Sequence, residues 1–487
     1  MDYDHLIPNL LIEDSKMRNR IKLIISIVIP VSILMIPTHW IPIQNLTVIE
    51  HRYIAIFFIA ALFWILEPIP IFATSVLVIF LELIATSNKS LIFFRKGMEG
   101  AHFGTLLSYK DIMATFASPI VILFIGGFFL AMAATKYRLD INLARVLLKP
   151  FGKKPQNVML GLMFITAIFS MFMSNTATTA MMLAILAPVL TVFEEGDRGK
   201  IGFILAIPFA ANIGGMGTPI GTPPNAVALK YLTGGNAIAF GTWMLIAFPL
   251  VVILMLFLWR FLLLLFPPAT KEIKLNIRGK FLKNWKAITV YITFGVTIIL
   301  WLFGSLHGMN SYTVAMVPIA VFTVLQIITA EDLKRMSWDV LWLIAGGIAL
   351  GQGLEKSGLA LHVVESIPFS SFSPYIVIVV FTLITVVMST FMSNTATANL
   401  ILPLASALGV SLSSIIPLGG SMMIILAVAF SASLAMALPI STPPNALAHA
   451  TGQIESKQML RAGIVVSLVG LLGVYLLMYI LNLIGFL

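Results

Sequence analysis

Two five-residue words, each present twice, carry the polar chemistry of an otherwise apolar chain. Ser174-Asn175-Thr176-Ala177-Thr178 recurs as Ser393-Asn394-Thr395-Ala396-Thr397, and Thr222-Pro223-Pro224-Asn225-Ala226 recurs as Thr442-Pro443-Pro444-Asn445-Ala446. The offsets are 219 residues from Ser174 to Ser393 and 220 from Thr222 to Thr442, so order and spacing are kept. A period of half the chain is unlike the short periods of solenoids. Ser, Asn and Thr before a helix satisfy its free N–H groups with side-chain oxygens. Where one helix stops and another starts at such a word, the starting helix offers N–H groups and a positive dipole end, which suit an anion. The stopping helix offers carbonyl oxygens, which suit a small hard cation. An Asn side chain supplies both a donor and an acceptor. The Pro-Pro pair removes two N–H donors and pushes the preceding residue out of the helical region. Gly214, Gly215, Gly217 and Gly221 loosen the backbone ahead of the first pair, so carbonyls there are freed for a cation. One Ser-Asn-Thr alone reads as interhelical glue and one Pro-Pro as a kink. Four copies in paired order point to a site.

The elements that must position these words are membrane helices. Of the 487 residues, 59% are hydrophobic and 10% charged, against about 25% charged in an average soluble domain. Mean hydropathy is +1.01. Residues 201–229, 231–259, 287–330 and 462–487 carry no Asp, Glu, Lys or Arg, nor does the run 366–454. A spanning helix takes about 20 residues, so that last run holds roughly four membrane-depth segments. The pattern predicts eleven spans, near 22–40, 53–66, 69–86, 117–135, 201–232, 243–266, 287–303, 310–330, 339–354, 413–450 and 462–485. Two further apolar stretches, 156–193 and 374–411, hold the Ser-Asn-Thr words at their centres. They are expected to be helical hairpins that enter the membrane and return, with tips near its middle. Non-helical backbone at that depth is tolerated only where it lines protein or a water-filled cavity.

Placing the N-terminus in the cytoplasm puts 23 of the 30 Lys and Arg residues inside, which the positive-inside rule favours. Eleven spans then leave the C-terminus outside. The loop 87–110, with Lys89, Arg95, Lys96 and Lys110, fits that orientation less well. The net charge of +10 reads as the same cytoplasmic bias and not as a surface for nucleic acid. The polar first 20 residues do not form a cleavable signal. The expected division is a cytoplasmic segment 1–21, a first helix 22–45, a first repeat 46–266, a cytoplasmic linker 267–286 and a second repeat 287–487. The first repeat carries hairpin 156–193 and broken helix 201–232, and the second carries hairpin 374–411 and broken helix 413–450. Five spans per repeat invert the second copy, a recurring transporter design with the site at the midplane.

Other chemistry is scarce. There is no cysteine, so disulfides and thiolate metal sites are excluded. No zinc-protease, serine-hydrolase or phosphate-loop pattern occurs, which disfavours an enzyme. Glu67 and Glu82 read as interfacial residues, and His307 and His449 as polar residues at helix ends. With no strong proton relay, sodium is the more natural coupling ion.

The paired words resemble those of the divalent anion/sodium symporter family, within the ion transporter superfamily, over nearly the whole chain from about residue 22. The resemblance implies an all-helical polytopic protein with eleven transmembrane helices and two re-entrant hairpins. It also implies a homodimer in the cell membrane and elevator-type alternating access. It implies C4/C5 dicarboxylates such as succinate, malate, fumarate and 2-oxoglutarate as substrates, with citrate or sulfate in some members, and no cofactor beyond coupling sodium. Carried over by motif, Ser174, Asn175, Thr176, Ser393, Asn394 and Thr395 would bind the carboxylates, and Thr222, Pro223, Thr442 and Pro443 would line the same site. A first sodium would meet Ser170, Ser174, Asn175 and the carbonyl of Gly221. A second would meet Ser389, Ser393, Asn394 and the carbonyl of Ser441. Ser441 departs from the pattern, because a smaller residue is usual there. Some members exchange dicarboxylates without net sodium flux, and the motifs do not separate the two modes. A channel for anions is a further alternative.

Overall fold

The computed structural model describes residues 6–95, 102–273 and 280–487. Residues 1–5 of the N-terminal segment, Lys96, Lys274 and Arg278 lie outside the described residues. Among the described residues the chain is helical, and the nearest thing to a strand is one isolated bridge between Ser87 and Leu107.

The first half runs α1 (Leu6–Met35), α2 (Val48–Leu66), α3 (Ile71–Ala85), α4 (Tyr109–Ala114), α5 (Pro119–Lys136) and α6 (Leu139–Leu148). It continues through α7 (Pro155–Ser170), α8 (Asn175–Leu190), α9 (Gly199–Gly215), α10 (Pro223–Tyr231) and α11 (Phe240–Leu265). The second half runs α12 (Trp285–Leu302), α13 (Gly304–His307), α14 (Ser311–Val324), α15 (Ala330–Lys334), α16 (Trp338–Ser357) and α17 (Leu359–Ser366). It closes with α18 (Pro374–Phe391), α19 (Asn394–Ser411), α20 (Gly420–Ser433), α21 (Pro443–His449) and α22 (Ser456–Leu483).

Local sequence explains the boundaries. Thr47 and Glu50 form a reciprocal capping box at the start of α2, which ends at Glu67 ahead of Pro68. Pro119 and Pro155 stand at the first positions of α5 and α7, where a missing N–H costs nothing. Each half contains the same turn before its hairpin. After α5 the chain bends at Arg138, with φ of 56°, into the short α6. After α16 it bends at Gly358, with φ of 91°, into the short α17. Arg138 and Gly358 are 220 residues apart, so the repeat extends beyond the two words.

Among the described residues, six stretches are long and apolar enough to cross a bilayer by length and composition, and six apolar helices are shorter. The short ones include α7, α8, α9 and α20, four of the eight helices that make up the interrupted segments. Large apolar side chains on α11 and α22 stand exposed, Leu245, Leu264 and Leu472 among them. Such faces are what lipid covers. Inside, one apolar cluster spans both hairpins, both broken helices, α11 and α22. A second joins α2, α3, α16 and α17 to Met392, Ala396 and Leu400 of the second hairpin.

Glu67 is exposed at its turn, as an interfacial residue should be. Glu82 is not at a surface. It is fully buried near the end of α3, and neither carboxylate oxygen has a hydrogen-bond partner among the described residues. The chain's own packing covers it, because α2 and α16 both lie against α3. His307 and His449 each end a short helix and bond locally, to the Leu300 carbonyl at 2.8 Å and the Ser456 hydroxyl at 3.1 Å.

Candidate functional site

The hairpin tips are helix starts capped as the words dictate. Ser174 accepts the Ala177 N–H at 3.2 Å and opens α8, and Ser393 accepts the Ala396 N–H at 3.1 Å and opens α19. Asn175 and Asn394 therefore sit at the first helical positions, half-buried. Behind each tip, a serine one turn back reaches the asparagine. Ser170 Oγ lies 2.5 Å from Asn175 Oδ1 and 2.7 Å from the Ala211 carbonyl oxygen of α9. Ser389 Oγ lies 2.9 Å from Asn394 Oδ1 and 2.8 Å from the Ala432 carbonyl oxygen of α20.

Each cluster is short of protons. A hydroxyl has one hydrogen to give, and two acceptors wait for it. Three oxygens of three different kinds then face a single hydrogen, fully buried at Ser170 and Ser389. A small hard cation is the ligand that such a set accepts. No group of three or more His, Asp or Glu residues is placed to hold a metal among the described residues, so a cation here meets only neutral oxygens.

The broken helices close around these clusters. Between α9 and α10 the backbone unwinds over residues 216–222 and folds back on itself. A Cβ on Gly215 would stand 2.6 Å from Asn175 Oδ1 and 3.0 Å from the Gly221 carbonyl oxygen. Glycine is required at 215 because the amide oxygen and that carbonyl converge there. Ser170, Asn175 and Gly221 are thus brought together. Ser174 is adjacent, with its hydroxyl committed to the cap. In the second half, the Ser441 hydroxyl accepts the Leu438 N–H at 3.1 Å and donates to the Thr390 carbonyl at 2.8 Å. The larger residue at 441 therefore fastens the second unwound loop to the end of α18. Thr218 makes the equivalent link in the first half, from its hydroxyl to the Met171 carbonyl at the first tip.

The asparagines of the Thr-Pro-Pro-Asn words have a role that sequence reading left unassigned. Asn225 Nδ2 donates to the carbonyls of Gly215, Met216 and Thr218 at 3.2, 3.3 and 2.8 Å. Asn445 Nδ2 donates to those of Met436 and Leu438 at 2.9 and 3.0 Å. Both are fully buried and hold the unwound loops in shape. Their recurrence in both words was the available signal. Asn212 was missed altogether, since it stands outside the repeated words. From α9 its Nδ2 donates to Thr442 Oγ1 at 3.1 Å and Asn445 Oδ1 at 3.3 Å, joining the two halves.

The halves interlock crosswise. The first Ser-Asn-Thr helix, α8, packs on the second Pro-Pro helix, α21, which also lies against α9. The second Ser-Asn-Thr helix, α19, packs on the first Pro-Pro helix, α10. Thr222, Thr442 and Thr395 are buried, Pro223 and Pro443 begin α10 and α21, and Thr176 is exposed. The tip at Ser174 borders a cleft of about 380 Å³ between α5, α8 and the chain around α15.

Residues 17–484 match the family described as the sodium:sulfate symporter transmembrane region. The chain belongs to this divalent anion/sodium symporter family. The family is one of transporters, not enzymes. A sodium-dependent dicarboxylate transporter, SdcS, of Staphylococcus saprophyticus is 32% identical over 465 residues, covering 86% of this chain and 84% of that one. The protein of the same name from Staphylococcus aureus is 30% identical over 460 residues, covering 86% and 83%. Among solved structures, the Alcanivorax borkumensis YdaH transporter superposes with a TM-score of 0.53 at 15% identity, covering 77% of this chain and 87% of that one. That likeness concerns the fold. Membership in the family makes the chain a multi-pass membrane transporter.

Proposed function

We propose that the chain carries C4/C5 dicarboxylates across the cell membrane by symport with sodium, as a homodimer with elevator-type alternating access. The observation that carries the reading is the duplicated oxygen cluster, Ser170–Asn175–Ala211 and Ser389–Asn394–Ala432, placed behind two helix starts. Sodium ions in these clusters would also meet the carbonyls of Gly221 and Ser441. The carboxylates of the substrate would be held by Ser174, Asn175, Thr176, Ser393, Asn394 and Thr395, with Thr222, Pro223, Thr442 and Pro443 lining the site. Burying a bare dianion costs many kcal/mol. Two helix N-termini and two cations supply the compensating charge, so substrate and sodium are each other's condition for binding. The names of the SdcS relatives support both the ion and the substrate class. The distribution of Lys and Arg supports a cytoplasmic N-terminus and an outer C-terminus.

Proteoliposomes test the reading. Uptake of labelled succinate is measured in empty vesicles and in vesicles preloaded with succinate, each with external sodium or choline. Symport gives uptake into empty vesicles that collapses in choline. Uptake that requires preloading and ignores the cation identifies an exchanger instead. Asn175→Ala and Asn394→Ala are each expected to abolish uptake, and native rates in either would remove the assigned site.

A further inference from the structure

The charged side chains that line the cleft at the first hairpin tip are, among the described residues, Lys136, Asp332 and Arg335, which leave one positive charge over. Its walls include Thr135 and Lys136 of α5, Met173 and Ser174 of the tip, and Asp332 and Arg335 around α15. Lys136 and Asp332 cancel one another, with Nζ 2.5 Å from Oδ2. The Lys136 ammonium also donates to the Ile327 carbonyl at 2.9 Å. Burial alone would raise the Asp332 carboxyl, but the Lys136 bond and those from Thr329 outweigh it and hold it below the ordinary carboxylate range. Glu331, next to Asp332, is taken by Lys334 at 2.8 Å. Arg335 follows α15, exposed, and its guanidinium has no hydrogen-bond or ion-pair partner among the described residues.

The geometry points to Arg335 as the residue that receives the dianion at the mouth of this cleft and sets the apparent affinity for substrate on that face of the membrane. The inference rests on the proposed function and adds to it a residue outside the hairpins and broken helices. A cleft with low-dielectric walls and one sign of net charge concentrates ions of the other sign. Arginine suits a carboxylate because its planar fork makes two parallel N–H bonds. A cleft of about 380 Å³ falls within the range of small-molecule sites. Ser174 in the same wall makes the path from Arg335 to the tip continuous.

Two experiments test this, one without transport. The chain has no cysteine, so Ser337→Cys places a single thiol in the cleft wall. The ratio of labelling rates for an anionic and a neutral methanethiosulfonate reagent is measured with Arg335 intact and with Arg335→Gln. The ratio is expected to fall about three- to tenfold on loss of the charge and to fall less at high ionic strength. Succinate transport is then measured in inside-out and right-side-out membrane vesicles. Arg335→Gln should raise KM by a similar factor on the face where the cleft opens, leave maximal rate unchanged, and spare the opposite face. Arg335→Lys should recover part of the loss. An unchanged labelling ratio, or a KM shift equal on both faces, overturns the inference while leaving sodium-coupled transport intact. A native chain that moves no succinate in either vesicle type overturns the proposed function, whatever the labelling ratio does.

Discussion

Gly215→Ala tests the first oxygen cluster with a single methyl group. The added carbon would stand 2.6 Å from Asn175 Oδ1 and 3.0 Å from the Gly221 carbonyl oxygen. Carbon–oxygen contacts begin at about 3.3 Å, so the amide must retreat by roughly 0.7 Å. It cannot do so freely, because its oxygen is 2.5 Å from Ser170 Oγ. Binding constellations tolerate about 0.5 Å of displacement before they fail. A methyl at 215 is therefore expected to raise the sodium concentration for half-maximal uptake by about ten- to hundredfold. The fold should survive. Alanine at the end of α9 gains up to about 1 kcal/mol over glycine, while local crowding costs about 1–3 kcal/mol. Sodium titration of succinate uptake, with a thermal melt in parallel, reads both quantities. Gly127→Ala is the control, since its Cβ would meet the end of the Ile220 side chain at 3.3 Å and no site oxygen. Native sodium dependence in Gly215→Ala would refute the convergence of Asn175 and Gly221 on a cation.

Two further outcomes concern stability. Burial alone would raise the Asp197 carboxyl, but bonds from Gly199 N–H at 2.8 Å, Ala269 N–H at 3.2 Å and the Thr270 hydroxyl at 2.9 Å pull it below the ordinary range. A lowered folded value means that this stabilisation is present above the ordinary carboxylate range and fades as pH falls through the folded value. Asp197→Asn should melt earlier than the native chain at pH 7, by about 1–2 kcal/mol, and the gap should close on acidification below pH of about 4. The second pair tests the matched bends. Gly358→Ala forces an L side chain to φ of 91° and should lower the melting temperature. Arg138→Gly relieves the same conformation at φ of 56° and should raise it or leave it unchanged. Shifts of equal sign would contradict the correspondence between the two bends.

Composition and charge-free runs carried the fold class, because lipid imposes a burial pattern that a sequence cannot hide. The words Ser174–Thr178 and Ser393–Thr397 announced helix starts, since capping is a local matter. What they could not announce is distance across the chain. The Ala211 and Ala432 carbonyls complete the oxygen clusters, yet alanine has no side chain to betray a role. Asn212 bonds to Thr442, 230 residues away, and no spacing rule links them. Gly358 and Arg138 occupy equivalent bends with unlike residues, so a search for repeated words passes over them. Glu82 read as interfacial because hydropathy places a residue in depth and says nothing about which protein helix stands between it and lipid.

The bonds also decide what can move. Each unwound loop is fastened to its own hairpin, Thr218 to the Met171 carbonyl and Ser441 to the Thr390 carbonyl. The helix after each hairpin tip, α8 or α19, is packed on the other half's Pro-Pro helix, and Asn212 ties α9 to α21. Opening the site by pulling one tip from its loop would break the fastening bond, the Ser–carbonyl bond behind it and a crosswise helix contact together. Each buried hydrogen bond broken without replacement costs about 1–3 kcal/mol. Carrying both hairpins and both broken helices as one body breaks none of these. The contacts to be exchanged then include those with α16, where Met392, Ala396 and Leu400 share an apolar seam with Leu343, Leu350 and Leu354, and where Asn399 donates to the Leu343 carbonyl at 3.2 Å and Lys230 to the Ile348 carbonyl at 2.9 Å. Apolar surface can slide from one apolar partner to another at little net cost, because neither position exposes it to water. The fastening bonds and crosswise contacts thus join the hairpins and broken helices into one packed unit, and the Asn399 and Lys230 bonds are what tie that unit to α16.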